Sequence, residues 1–332
     1  MEHPAKRKWS RAASGRIIAG FTLALAIALS AFLVISASSA NNVAFGSFWF
    51  LAVLPAYLCA LICYIGDPGG ERPASFYWNV PPAFCLIVIL GSILFLHEGV
   101  ICLVMLSPIW LGFGWLGTYL LRRRRKRPVD PNMFVSSLIF LPLLSGGIES
   151  QVPIPHDTVT LTRDVFIHAT PAEIWPYAVS NAHIASDEGR WTFTQNILGL
   201  PRPRATRLDR PGAGGVRTAY WGETINFDEK ITQWQPGQRL GWIFSFTNSS
   251  LQDYTDKHIS PDGQFLKVDT GDYTLAPLTP ETTRLTLRTR YIAKTHVNLY
   301  ARFWGEILLG DIESNVLAII RDRAEARHRL GR

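Results

Sequence analysis

Residues 158–175, TVTLTRDVFIHATPAEIW, decide how the second half of this 332-residue chain is read. Val159 and Leu161, then Val165 and Ile167, stand at strand spacing. A helix start follows at once. Thr170 offers an N-cap hydroxyl, Pro171 occupies the first helical position where its missing N–H costs nothing, and Glu173 can return a hydrogen bond to the cap. Ile174, Trp175 and Ala178 give the short helix its apolar face.

Downstream, residues 199–215 (GLPRPRATRLDRPGAGG) read as a Pro/Gly/Arg-rich loop. Strands are expected over 217–228, 230–234, 240–246, 264–275 and 284–291, joined by short turns that make neighbours antiparallel. Along 284–291 the arginines alternate with Leu285, Leu287, Thr289 and Tyr291, as in a sheet with one wet face. A long helix is expected over 297–329, with Tyr300, Phe303, Trp304, Ile307, Leu308, Ile312, Val316, Ile319 and Ile320 at three- and four-residue steps. Arg302, Glu306, Asp311 and Glu313 would each cost on the order of 3 kcal/mol at a bilayer centre, which assigns this helix to the sheet.

Upstream the texture is different. Residues 1–132 hold 12 Lys/Arg against 5 Asp/Glu, whereas 133–332 hold 21 of each, so the whole net charge of +7 lies in the first half. That excess sits at Lys6, Arg7, Lys8, Arg11 and Arg16 and in the run RRRRKR at 122–127, beside apolar stretches, which argues for membrane topology and against nucleic-acid binding. Apolar spans are expected at about 17–37, 43–65, 80–96 and 100–121, each long enough to cross the hydrocarbon core. The basic N-terminus and 122–127 then face the cytoplasm. Residues 133–148 are ambiguous: 16 uncharged positions interrupted by Pro142, Gly146 and Gly147. If they form a short fifth span, the following domain is extracytoplasmic; if not, it is cytoplasmic. The lack of Lys or Arg between Arg127 and Arg163 favours a crossing. Spans free of Asp, Glu, Lys and Arg suggest an anchor rather than a transport path, with self-association through the helices as one further role. The expected location is a bacterial inner (plasma) membrane. Cys59, Cys63, Cys85 and Cys102 all lie in apolar segments, which excludes a secreted disulfide scaffold.

The order strand, short helices, antiparallel meander and long terminal helix, with VFIHATPAEIW at 165–175, ETI at 223–225, WQPGQRLGW at 234–242, DYTL at 272–275 and TRLTL at 283–287, resembles the START-like SRPBCC superfamily (polyketide cyclase/dehydrase and lipid transport). The resemblance covers about 157–328 and divides the chain into a transmembrane region (1–148), a linker (149–156) and a START-like domain (157–329). It implies a helix-grip α+β fold: a curved antiparallel sheet wrapped around the terminal helix, with an elongated apolar cavity between them.

Lining candidates for that cavity are Trp242, Phe244, Tyr273, Leu287, Tyr291, Trp304 and Leu308. Neither HExxH, CxxC nor GxSxG occurs, no cysteine nucleophile exists in this half, and no metal or cofactor is expected. Glu223 with Tyr220 or Tyr273 is the only acid–base pairing to nominate, and an arginine such as Arg217 is the more ordinary partner for Glu223. His183 and His168 read as loop residues. The expected function is a membrane-anchored binder or carrier of a hydrophobic small molecule or lipid. The alternatives are a cyclase, aromatase or dehydratase using the same cavity, and a regulatory partner of another membrane protein that binds no ligand.

Overall fold

The computed structural model describes residues 11–37, 46–125, 144–255 and 260–330. Contacts divide the chain into two compact units, Met1–Glu98 with Cys102–Pro153, and Gly99–Ile101 with Ile154–Arg332.

The first unit is helical: α1 (Arg11–Ala37), α2 (Leu54–Gly66), α3 (Ala74–Gly91) and α4 (Val100–Arg125). Wider turns at Trp49–Val53 and Ser92–Leu96 extend α2 and α3. Among the described residues four stretches are long and apolar enough to cross a membrane: Ala12–Ala37, Trp49–Gly66, Ala74–Leu96 and Val100–Arg125. The third begins at Ala74 rather than 80, and Pro81 and Pro82 lie inside the helix. Small residues let the helices approach. A Cβ on Gly117 would collide with the backbone of Ala56, so α4 meets α2 where only glycine fits.

Asp67, just past α2, accepts hydrogen bonds from the Tyr77 hydroxyl at 2.8 Å and from the backbone N–H of Arg72 at 3.0 Å. Arg125 donates to the carbonyls of Asp67 and Tyr64. One arginine of the basic run therefore ties the ends of α2, α3 and α4 together rather than facing lipid headgroups alone. Of the expected short fifth segment, 133–143 lie outside the described residues, as do 1–10, 38–45 and 126–127. Residues 144–149 are helical. Glu149 accepts the backbone N–H groups of Phe48 and Trp49 at 2.6 and 2.7 Å.

The second unit is a seven-stranded sheet with strand order β1-β7-β6-β5-β4-β3-β2 and every neighbouring pair antiparallel. The strands are β1 (His156–Ile167), β2 (Pro203–Leu208), β3 (Val216–Trp221), β4 (Ile225–Gln235), β5 (Arg239–Ser245), β6 (Leu266–Thr279) and β7 (Thr282–Lys294). Helices α5 (Pro171–Val179) and α6 (Phe193–Asn196) follow β1, and α7 (Asn298–Leu330) closes the chain. This is the helix-grip architecture. The chain's first and last strands pair, Val165 opposite Leu285 and Leu161 opposite Thr289. The capping box at α5 is formed, with the Thr170 N–H donating to Glu173 at 2.8 Å.

Two expectations need correction. The strand expected over 217–228 is two strands, because Gly222 adopts φ +53° and turns the chain between β3 and β4. The loop expected over 199–215 contains β2, an edge strand where Pro203 forfeits no interior ladder bond.

Candidate ligand site on the concave face of the sheet

Alternation along each strand sets the concave face. In β7, Leu285, Leu287, Thr289, Tyr291 and Ala293 are buried while Arg284, Arg288 and Arg290 are exposed. Leu240 and Trp242 of β5 and Tyr273 and Leu275 of β6 join them. Gly271 leaves the space in which the Trp242 indole lies; a Cβ there would strike the ring.

Helix α7 meets this face along Ala301, Gly305, Leu309, Glu313, Leu317, Ile320 and Ala324. Leu317, Ile320 and Ala324 belong to the main apolar cluster with Leu240, Trp242, Leu275, Leu285 and Leu287. Ala301 and Leu309 pack instead on a smaller cluster of Val159, Tyr291 and Ala293. A Cβ on Gly305 would collide with the Tyr291 hydroxyl, and one on Gly310 with Arg163, so helix and sheet are in close contact there. Between the two clusters stands Glu313.

Glu313 is 3% exposed, and neither carboxylate oxygen has a hydrogen-bond partner among the described residues. Burial pushes its carboxyl up to about 7; the Thr289 hydroxyl and the Arg163 charge pull it back, and Glu306 adds to the rise. The Trp242 Nε1 and the Tyr291 hydroxyl on the same concave face are likewise buried without a partner. Orphaned buried polar atoms are costly in a finished core.

A second charged centre lies deeper, and here the charges are matched. Arg217 of β3 and Glu229 of β4 sit opposite each other in register, both buried, and form an ion pair. Arg217 also donates to the Ala178 carbonyl at 2.5 Å, and its guanidinium lies 4.4 Å from the Trp242 ring centre and 5.5 Å from that of Tyr273. Burial works against the Arg217 charge, but Glu229 and Tyr273 outweigh it and hold the pKa above its ordinary value. Burial likewise raises the Glu229 carboxyl, which Arg217 draws back. Burial raises the Tyr273 phenol too, keeping it neutral.

Of the expected lining residues, Trp242, Tyr273, Leu287 and Tyr291 are buried on the concave face, and Phe244 is half-buried beside Trp242 in an edge contact at 5.9 Å. Trp304 and Leu308 fall one position off the stripe that meets the sheet. Trp304 is buried with its Nε1 unpartnered, against Tyr300 and Phe303, and Leu308 is half-buried. The displaced face of α7 is held by polar ties instead: Asp311 accepts the Thr194 N–H at 2.9 Å, and Asn315 donates to Gln195 at 2.8 Å.

Glu223 and Tyr220 are placed elsewhere. Tyr220 points outward between buried Ala219 and Trp221, and Glu223 is exposed in the β3–β4 turn, paired with Arg204 at 2.9 Å rather than Arg217. With His183 they border an outer-surface depression of about 280 Å³. A polar depression of about 670 Å³, bordered by His168, Glu325 and His328, lies where the last turns of α7 pass the β6–β7 turn. Neither is the elongated apolar cavity expected between α7 and the sheet. Among the described residues no three His, Cys, Asp or Glu side chains converge to hold a metal ion.

Glu313, Arg217 and Glu229 are interior residues that the expected lining does not include. The signal was present in each case as a charge on an apolar period: Glu229 between Phe227 and Ile231, Arg217 in step with Ala219 and Trp221, Glu313 between Leu309 and Leu317.

No protein-family model matches the sequence, and no curated protein matches it. Among solved structures, the di-domain ARO/CYC BexL of the BE-7585A biosynthetic pathway is 14% identical over 65% of this chain and 63% of its own, with a TM-score of 0.34, so this chain spans less than two thirds of BexL. The ZhuI aromatase/cyclase from Streptomyces sp. R1128 is 14% identical over 53% of this chain and 97% of its own (TM-score 0.33). Norcoclaurine synthase from Thalictrum flavum is 12% identical over 52% and 99% (TM-score 0.33). These likenesses are slight; strand order and the terminal helix define the fold.

Proposed function

We propose that the chain is a membrane-anchored binding or carrier protein for a hydrophobic small molecule or lipid, which lies between the concave face of the sheet and α7. One observation carries this reading: the buried, unpartnered polar atoms of Trp242, Tyr291 and Glu313 stand amid apolar side chains, the lining that orients a mostly apolar ligand. Because α7 touches the sheet at Gly305 and Gly310, entry requires α7 to lift or the aromatic side chains to turn. The four apolar helices would keep the domain at the bilayer, where such ligands concentrate.

The test is solvent extraction and mass spectrometry of the full chain purified in mild detergent, compared with G271A, whose added methyl drives the Trp242 ring into the interior. A hydrophobic compound recovered with the wild type and lost from G271A is the expected result. Equal recovery from both, or from neither, contradicts the reading; a chain that retains nothing points to a regulatory role. A cyclase- or dehydratase-type activity is the second reading, favoured by Glu313, since a carboxyl that exchanges its proton near neutrality suits acid–base chemistry. Glu223 and Tyr220, on the outer side, do not supply it.

A further inference from the structure

Most of the charged groups around Glu313 have partners of their own. Arg217 is matched with Glu229, and Arg163, reaching from β1, is matched with Glu306 at 2.7 Å. Along α7, Arg323 holds Glu188 at 2.6 Å, His328 lies 3.0 Å from Glu173, and Asp311 is bonded to Thr194. The groups that act on Glu313 are Thr289 of β7, Tyr273 of β6, Arg163 of β1 and Glu306 of its own helix. When Glu313 ionises, it has no cation of its own, since Arg163 is held by Glu306, and in a buried place that calls for a proton or a cation.

Folding has already stripped Glu313 of water, so an arriving cation gives up only its own hydration. A lone carboxylate is a poor metal site. The apolar surroundings and the Tyr291 ring, which faces α7 at Gly305, instead suit an organic ammonium, which aromatic faces stabilise; the Trp242 and Tyr273 rings already face Arg217.

We propose that the ligand of the concave face is an apolar molecule bearing one protonated amine, and that the Glu313 carboxylate holds that amine. The proposal rests on the reading that this interior binds a ligand. Below neutrality Glu313 carries a proton, which the ammonium displaces: the amine enters as a cation, the carboxyl O–H bond breaks, and one proton leaves to solvent.

The experiment is calorimetry on the full chain in phosphatidylcholine nanodiscs, with empty discs as the blank. The probes are 4-phenylbutylamine and the neutral 4-phenylbutan-1-ol. At pH 8 the amine is expected to bind about tenfold or more tightly than the alcohol. That preference shrinks towards pH 6, where binding releases a proton, seen as heat that varies with the buffer's ionisation enthalpy. E313Q brings the amine down to the alcohol's affinity. Should E313Q fail to fold, proton release by the wild type decides. Equal affinities at pH 8, or no proton release at pH 6, overturn the amine proposal while leaving ligand binding in place; binding of neither probe overturns both.

Discussion

Two buried carboxylates, Glu229 and Glu313, face the same concave sheet and differ in company. Glu229 is locked to Arg217, whose guanidinium also reaches Ala178 and two aromatic rings, so that α5 and strands β3 to β6 converge on one charge pair. Glu313 has a hydroxyl nearby and no cation of its own. The first arrangement is complete and structural. The second carries its desolvation cost without a counterion to offset it.

The largest effect is expected at Arg217. Replacing it as R217M strands Glu229 without a counterion and is expected to cost about 3–5 kcal/mol, read from thermal or denaturant unfolding of the full chain in micelles. Loss of under about 1 kcal/mol would make the pair ornamental.

Glu313 should behave in the opposite way. Its pKa rises from the ordinary 4.5 to about 7, so the folded state keeps a proton that the unfolded state has lost. Stability is therefore fully present below about pH 4.5 and falls as pH climbs to 7, by roughly 3 kcal/mol in all. E313Q is expected to abolish that fall, which unfolding curves at pH 4, 6 and 8 would show; a slope that survives the substitution points to another group.

Gly271 sharpens the account of the lining. G271A is expected to destabilise by about 1–3 kcal/mol through overpacking against Trp242, with a change in the indole's near-ultraviolet circular dichroism as the local readout. An unchanged spectrum would mean the ring does not lie where described. The smallest effect is expected at the cap of α5, where T170A should cost about 1 kcal/mol in the same unfolding assay.

Much of the architecture was legible in the sequence because it follows from local rules. The Thr170–Glu173 box, the alternation in 284–291 and the apolar runs each announce their element without reference to the rest of the chain. Tertiary consequences were harder. β2 hides in a Pro- and Arg-rich stretch because an edge strand needs neither apolar alternation nor every N–H. The stripe of α7 was read from its large residues, Trp304 and Leu308, whereas the sheet is met at Gly305 and Gly310, where the absence of a side chain permits contact. The candidate site was half legible: Trp242, Tyr273 and Tyr291 follow from strand parity and Glu313 lies on an apolar period, but nothing local shows that Glu313 has no cation.

The decisive measurement is the ¹³C-carboxyl NMR titration of Glu313 in the full chain, assigned by its loss in E313Q, with and without saturating 4-phenylbutylamine. A midpoint near 7 in the free protein that drops when the amine binds is the expected result. A free-protein midpoint at about 4.3, the value of a solvated glutamate, or one that the amine leaves unmoved, would contradict a carboxylate held in reserve.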